Sequence, residues 1–294
     1  MSQTLATHPR LWLGEGLRWY LKEARHPLKG YLVGHYWSWF SKPVLWVKYD
    51  DSMAIGVRLG DYLQQQIFYQ GYYELALIEW LKSFLVPDDV FWDVGANIGA
   101  ITVVAAKRCA KVAAFEPDPR SIRSLEKNVR VNRLTNVEIV TSALGDASGA
   151  LTLYQAADRN SGMTSLIPGR SEVVGETQVN VVRADELLKR RPDLTPTVMK
   201  LDVEGAEHLV LDGATELLQS GRVRAIVFED RGDADAGPAN REVVERLRQA
   251  NYHIAPFAAS DPQVSDNMYN FLATPLAQCL AAAAAPSRQL PRMR

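Results

Sequence analysis

The stretch V-F-W-D-V-G-A-N-I-G, Val90 to Gly99, decides how the rest of this chain is read. An apolar run of strand type ends in a carboxylate, Asp93, and then breaks at Gly95 and Gly99 before an apolar helix from Ile101 to Ala106. The pattern predicts a strand, a tight turn and a helix start. Gly95 and Gly99 are expected to let a ligand reach the backbone, and the amides at the helix start to favour an anionic group. The next segment, K-V-A-A-F-E-P-D-P from Lys111 to Pro119, is a second strand of buried type that closes on Glu116, 23 positions after Asp93. An acid about 20 residues past a glycine turn is where a βαβ unit holds the ribose hydroxyls of an adenosine-containing ligand. A dinucleotide site would carry G-x-G-x-x-G, whereas here Asp93-Val94 precedes G-x-x-x-G. The acid and the wider glycine spacing suit a ligand with an ammonium and a carboxylate, such as S-adenosylmethionine.

Outward from Val90, strand and helix signals alternate as in a doubly wound α/β sheet. Strands are predicted at Val90 to Val94, Val112 to Glu116, Val137 to Thr141, Val198 to Asp202, Ala225 to Glu229, Tyr252 to Ala255 and Asn270 to Thr274. Helices are predicted between them, notably over Ser121 to Asn132, Ala206 to Gln219 and Asn240 to Ala250. The alternation is interrupted between Leu151 and Ala184, where Leu151 to Tyr154 and Gln178 to Val182 read as strands that extend the sheet or form a small flap around a polar loop, Asp158 to Ser165.

Several ordered motifs carry a resemblance: D-V-G-A-N-I-G (Asp93 to Gly99), F-E-P-D-P (Phe115 to Pro119), A-L-G-D (Ala143 to Asp146), K-L-D-V-E-G-A-E (Lys200 to Glu207) and V-F-E-D (Val227 to Asp230). Together, over Tyr73 to Thr274, they resemble the FkbM family of S-adenosylmethionine-dependent methyltransferases. The resemblance implies the Rossmann-like class I methyltransferase fold, a mostly parallel seven-stranded sheet whose last strand is antiparallel. It also implies that Asp93, Gly95, Asn97 and Gly99 line the methionine portion of the cofactor and that Glu116 accepts from both ribose hydroxyls. Ser142 and Ala143 would then meet adenine, with Ser142 or Asp146 as the polar group there. Tyr73-Glu74 matches a recurring tyrosine and acid that would face the methionine end, although an acid at a helix start is favourable without any ligand.

Asp93, Glu116, Asp202 and Glu229 all fall at predicted carboxyl ends of strands, where an open α/β sheet holds its ligands. Lys200 and Asp202 share strand parity, so a lysine in an otherwise apolar strand should meet a carboxylate or a polar ligand. Asp202, Glu204 or Glu229 is expected to take the proton from an acceptor hydroxyl, with Asp202 favoured, since burial makes a carboxylate more basic. His208 reads as a surface or capping residue. Magnesium is a candidate second cofactor, held by Asp202, Glu229 and Asp230 at adjacent strand ends.

Composition bounds the rest. A net charge of -1 over 294 residues gives no polyanion-binding surface, so nucleic acid is not expected as a partner. Cys109 and Cys279 are too few for a disulfide framework, no apolar run is long enough to span a membrane, and no signal peptide opens the chain, which together predict a cytoplasmic protein. The expected organisation is an N-terminal aromatic-rich extension over 1–72, a methyltransferase domain over 73–275 and a low-complexity tail over 276–294. In the extension, Leu11 to Ala24 should form an amphipathic helix with Leu13, Leu17, Tyr20 and Leu21 on one side, and Val44 to Tyr49 and Met53 to Leu59 a hairpin. Trp12, Trp19, Trp37, Trp39 and Trp46 are expected to cover a face of the main domain; a lid, a dimer contact and a peripheral membrane contact are the alternatives. The acceptor pocket is expected from variable pieces, Tyr31 to Tyr49, the Asp158 to Ser165 loop and an Arg231 to Pro238 loop.

The reading is therefore an O-methyltransferase that acts on a hydroxyl of a sugar, glycolipid or secondary metabolite. A nucleotide-dependent oxidoreductase lacks its glycine motif, and a non-catalytic relative would show a decayed cofactor turn.

Overall fold

A computed structural model of the chain describes residues 9–25, 28–50, 53–169, 172–233, 237–238, 240–257 and 268–276. Helices α1 (Pro9–Lys22) and α2 (Lys29–Ser41) lead into a hairpin of β1 (Leu45–Tyr49) and β2 (Met53–Val57), followed by α3 (Tyr62–Gln70) and α4 (Leu75–Phe84). Then come β3 (Val90–Val94), α5 (Ala100–Ala105), β4 (Lys111–Phe115), α6 (Pro119–Val131) and β5 (Val137–Val140). After β6 (Ala143–Leu144), β7 (Gly149–Ala156) and β8 (Val173–Val182), the chain returns through α7 (Ala184–Arg190) to β9 (Val198–Leu201). It finishes with α8 (Glu207–Asp212), α9 (Thr215–Gln219), β10 (Ala225–Asp233), β11 (Gly237–Pro238), α10 (Arg241–Gln249), β12 (Tyr252–Pro256) and β13 (Met268–Pro275).

The seven predicted strands form one sheet in the order β12-β13-β10-β9-β3-β4-β5, with the short β11 appended to β10. Among the seven, all neighbours are parallel except β13, which is antiparallel to both β10 and β12; β11 is likewise antiparallel to β10. The chain order reverses at β3, which lies between β9 and β4, so a crevice opens there at the carboxyl ends. Period-two alternation then divides the core. Phe91, Val112 and Val198 face the cluster shared with the hairpin, α3, α4 and α5, while Trp92, Phe115, Met199 and Phe228 face α7 to α10. The first cluster also contains Val47, Ile55, Leu59 and Phe68, so apolar packing runs without a break across position 72.

The structure corrects several local expectations. The stretch Tyr62 to Gly71, polar and glutamine-rich and given no element from sequence, is a helix: Asp61 caps it by accepting from the Gln64 amide at 3.0 Å, and Gly71 closes it in the left-handed region. The single helix expected over Ala206 to Gln219 is broken into α8 and α9. A Cβ on Gly213 would lie 2.0 Å from the Gly145 carbonyl oxygen, and the Asp185 carboxylate accepts the Glu216 and Leu217 amides, so a residue far back in the chain starts α9. The insertion is a separate three-stranded flap, β6-β8-β7, rather than an extension of the main sheet. Arg231 to Pro238 is not a loop throughout, since β10 continues to Asp233 and pairs with β11.

In α1, Leu13 is exposed and Leu11 is buried instead, because the helix lies on β1 through Gly14, where a Cβ would meet the Trp46 carbonyl oxygen at 1.9 Å. Of the five early tryptophans, Trp46 is buried as expected, but Trp12, Trp19 and Trp39 face outward; the Trp37 side chain lies outside the described residues. Cys109 is buried, and burial pushes its thiol up to about 11, in keeping with a packing role; Cys279 and most of the expected tail lie outside the described residues. No helix among the described residues is long and apolar enough to cross a membrane.

Candidate active site

A cleft opens between β3 and β9, lined by Asp93, Gly95, Asn97, Lys200 and Asp202 from the strand ends and by Leu63 and Tyr73 from the preceding helical segment. Register places Asp93 beside Lys200 across the β3-β9 pair. Asp93 is fully buried; the Thr102 hydroxyl donates to its Oδ2 at 2.5 Å, while Oδ1 has no hydrogen-bond partner. Burial raises the Asp93 pKa, against the pull of Lys200 and Thr102.

Lys200 meets the carboxylate expected of it. Its Nζ donates to Asp202 Oδ2 at 2.7 Å and lies 3.9 Å from Glu74 Oε2. Burial works against its charge, but Asp202, Glu74 and Asp93 together hold the ammonium above the ordinary lysine range. Glu74 is set by a left-handed backbone at φ 49° just before α4; it caps nothing, and its Oε1 accepts from Asn270 Nδ2 at 2.8 Å. Its other oxygen is buried without a hydrogen bond, and its pKa is raised, chiefly by burial. Glu74 thus stands at the start of α4 without a side-chain capping bond, and its carboxylate is turned toward Lys200 and Asn270.

The glycine turn is closely fitted to the protein around it. Gly95, Asn97 and Gly99 all have positive φ, and a Cβ on Gly95 would sit 1.8 Å from the Asp202 carbonyl oxygen, one on Gly99 2.5 Å from Leu125 Cδ1. On the side where a Cβ would stand, these glycines admit protein atoms, while Gly95 also lines the cleft. Three amides of the turn are already engaged: Gly95 and Ala96 donate to the Phe115 carbonyl, and Asn97 to Glu116 Oε2 at 2.7 Å. Glu116 also accepts the Asp118 amide on Oε1 at 2.8 Å. Burial pushes its carboxyl up to about 7, against these two amides. A carboxylate offers about four acceptor positions, so two remain for further donors.

On the other side of Asp202, the carboxylates of Asp202, Glu204 and Glu229 approach one another within 4.8 Å. Glu204 arrives there through a left-handed residue, φ 53°, ahead of Gly205. Burial, then repulsion from Asp202, Glu74 and Glu204, raises Glu229 well above the usual carboxylate range. Asp230, expected in this group, points to the opposite face of β10 and accepts the Asn240 amide at 2.9 Å, where α10 starts. His208 lies 3.6 Å from Glu242, away from the cleft. Ser142 and Ala143 follow β5, Ala143 buried and Ser142 half-buried.

The Asp158 to Ser165 loop is expected from sequence to help build the acceptor pocket, but the bonds that tie the flap to the site are not foreseen there. The Ser165 hydroxyl donates to the Glu204 carbonyl at 2.9 Å, Arg120 reaches the Ala156 carbonyl at 3.2 Å, and Gln155 donates to Asp118 Oδ1 at 3.1 Å. These bonds lay the Asp158 to Ser165 segment beside Asn97 and Leu63. No local pattern announces them, because each partner is more than 30 residues away.

The model of the methyltransferase FkbM domain matches residues 93–254, from Asp93 through most of the sheet. Hexuronic acid methyltransferase AglP of Haloferax volcanii is 31% identical over 178 residues, 60% of this chain and 69% of that protein. The 31-O-demethyl-FK506 methyltransferase FkbM of Streptomyces tacrolimicus is 28% identical over 207 residues, 60% of this chain and 77% of that protein. Methyltransferase 1 of Beauveria bassiana is 31% identical over 173 residues, 52% of this chain and 66% of that protein. A nucleotide-dependent oxidoreductase is thereby set aside. With a family match over more than half its length and the class I strand order around an acidic cleft, the chain belongs to the FkbM family of S-adenosylmethionine-dependent methyltransferases.

Proposed function

We propose that the chain methylates a hydroxyl of a sugar, glycolipid or secondary metabolite, and that Asp202, Glu204 and Glu229 receive that hydroxyl. The observation that carries this reading is the convergence of three carboxylates at the edge of the cleft. A cluster of that charge disfavours an anionic acceptor by repulsion and offers hydrogen-bond acceptors to a neutral hydroxyl. S-adenosylmethionine, when bound, supplies a methyl on a positively charged sulfonium. The residues fit such a group: the orphaned buried oxygens of Asp93 and Glu74 suit an ammonium, and the spare acceptor positions of Glu116 suit ribose hydroxyls. Gly95, Asn97 and Gly99 hold the turn that sets Asp93 against Glu116, and we assign adenine to Ser142 and Ala143, with Ser142 or Asp146 as its polar partner.

Among the three acids, Asp202 is committed to Lys200 at 2.7 Å, whereas Glu229 is surrounded mainly by like charge and is the more basic. We therefore assign proton acceptance to Glu229 and give Asp202 and Lys200 the task of positioning, which departs from the preference for Asp202 drawn from sequence. The FkbM relative is named for 31-O-demethyl-FK506, which supports an oxygen acceptor. A second reading places magnesium on the same three carboxylates, with Asp230 replaced by Glu204.

The test is mass spectrometry of small-molecule and glycan extracts incubated with methyl-labelled cofactor. One new species carrying the label on oxygen is expected; label on carbon or nitrogen only, or full turnover in Glu229→Gln, rejects the assignment.

A further inference from the structure

The N-terminal helices present aromatic side chains outward, and the way α1 is fixed makes this a built feature. Gly14 lies against the Trp46 carbonyl, Glu15 Oε1 accepts the Lys48 amide at 2.8 Å, and Arg18 Nη1 donates to Glu15 at 3.2 Å. These contacts set the helix rotation, so Trp12, Leu13 and Trp19, between 63% and 72% exposed, point away from the body. Helix α2, K-G-Y-L-V-G-H-Y-W-S-W-F-S, is apolar around most of its circumference. Such a helix is ordinarily buried. Within α2 no described side chain before Ser41 is buried, and Tyr31, His35, Tyr36 and Trp39 form a ladder of ring contacts on the surface.

The charge of the segment differs from that of the whole. Between residues 9 and 42 there are six basic residues, Arg10, Arg18, Lys22, Arg25, Lys29 and Lys42, against Glu15 and Glu23, in a chain whose net charge is -1. Exposed tryptophan and tyrosine on helices with a local positive excess match the interface of an anionic bilayer, where amphipathic rings sit at headgroup depth and basic side chains meet lipid phosphates.

We propose that α1 and α2 dock this methyltransferase on anionic membrane surfaces. The charge complementarity selects a lipid surface over a second copy of the chain, whose matching patch would be equally positive. Helix α1 packs on α3, whose Leu63 lines the cleft and whose Tyr62 is exposed beside it, so docking would bring the cleft close to the surface. The proposal is independent of which hydroxyl is methylated.

The full chain is tested by co-sedimentation with vesicles of phosphatidylcholine alone and of phosphatidylcholine with roughly one-third phosphatidylglycerol. Binding to the anionic vesicles is expected to exceed that to neutral ones by about tenfold or more and to fall in high salt. Brominated acyl chains should quench part of the unmodified protein's tryptophan emission. A Trp12→Ser, Trp19→Ser, Trp39→Ser variant should lose binding while retaining cofactor affinity by calorimetry, and a Lys22→Glu, Arg25→Glu variant should lose the anionic preference. Equal binding to both vesicles, no bromolipid quenching, or a concentration-dependent dimer abolished by the tryptophan replacements would overturn the proposal.

Discussion

Cofactor affinity should depend on a proton at Glu116. In the ligand-free protein burial holds this carboxyl at about 7, although the Asn97 and Asp118 amides favour its ionised form. Ribose hydroxyls donating to its remaining acceptor positions require the ionised form, so binding must expel the proton. With the bound carboxylate ionised throughout, affinity rises with pH and should improve about tenfold between about pH 6 and about pH 8. Calorimetric titration with the cofactor's demethylated product, repeated in buffers of different ionisation heat, reads both the affinity and the proton released. Asp93, Glu74 and Glu229 are also raised and act in the same direction, which is why Glu116→Gln is the decisive control. Glutamine still accepts through its carbonyl oxygen but has no proton to release, so the variant should bind more weakly at about pH 8 and with a shallower slope. The same shift has a stability sign. A protonated Glu116 supports the ligand-free fold fully below its ordinary 4.5, and that support, on the order of 3 kcal/mol, is lost as pH rises through about 7. An affinity flat across this range, or equal slopes in Glu116→Gln and the unmodified chain, would refute the placement of ribose at Glu116.

Three further perturbations test the cleft from other sides. Gly95→Ala forces a Cβ to 1.8 Å from the Asp202 carbonyl oxygen at a φ of 87°, and should cost roughly 2–5 kcal/mol, seen as a fall in melting temperature of roughly 10 °C. Lys200→Met leaves Asp93, Glu74 and Asp202 without their buried cation and should cost about 3–5 kcal/mol in urea unfolding at about pH 8; the loss should shrink at acid pH, where the carboxyls take up protons. Exhaustive chelation followed by magnesium addition separates the two readings of the carboxylate trio: restored turnover supports a metal there, and undiminished turnover in chelator rejects it.

What could be read in advance, and what could not, follows from the reach of the interactions. The strands were readable because apolar runs bounded by Gly, Pro and acids are local, and Asp93, Glu116 and Lys200 could be placed because each lies at or near a strand's carboxyl end. The outcome changed wherever a distant residue decided it. Asp185 starts α9, Asp202's carbonyl demands a glycine at Gly95, and Ser165 of the flap holds Glu204 by its carbonyl. Glu229 and Asp230 look interchangeable as a pair of acids, yet strand alternation sends one to the cleft and the other to the Asn240 amide at the start of α10, so a motif match alone does not tell which acid joins the carboxylate cluster. The tryptophans make the same point in reverse. Composition records aromatic density without direction, and only the seating of Gly14 on Trp46 and of Glu15 on Lys48 turns Trp12 and Trp19 outward. An identical helix rotated half a turn would bury those rings in the core; the polar pins, more than the hydrophobic content, determine that this surface is available to a membrane.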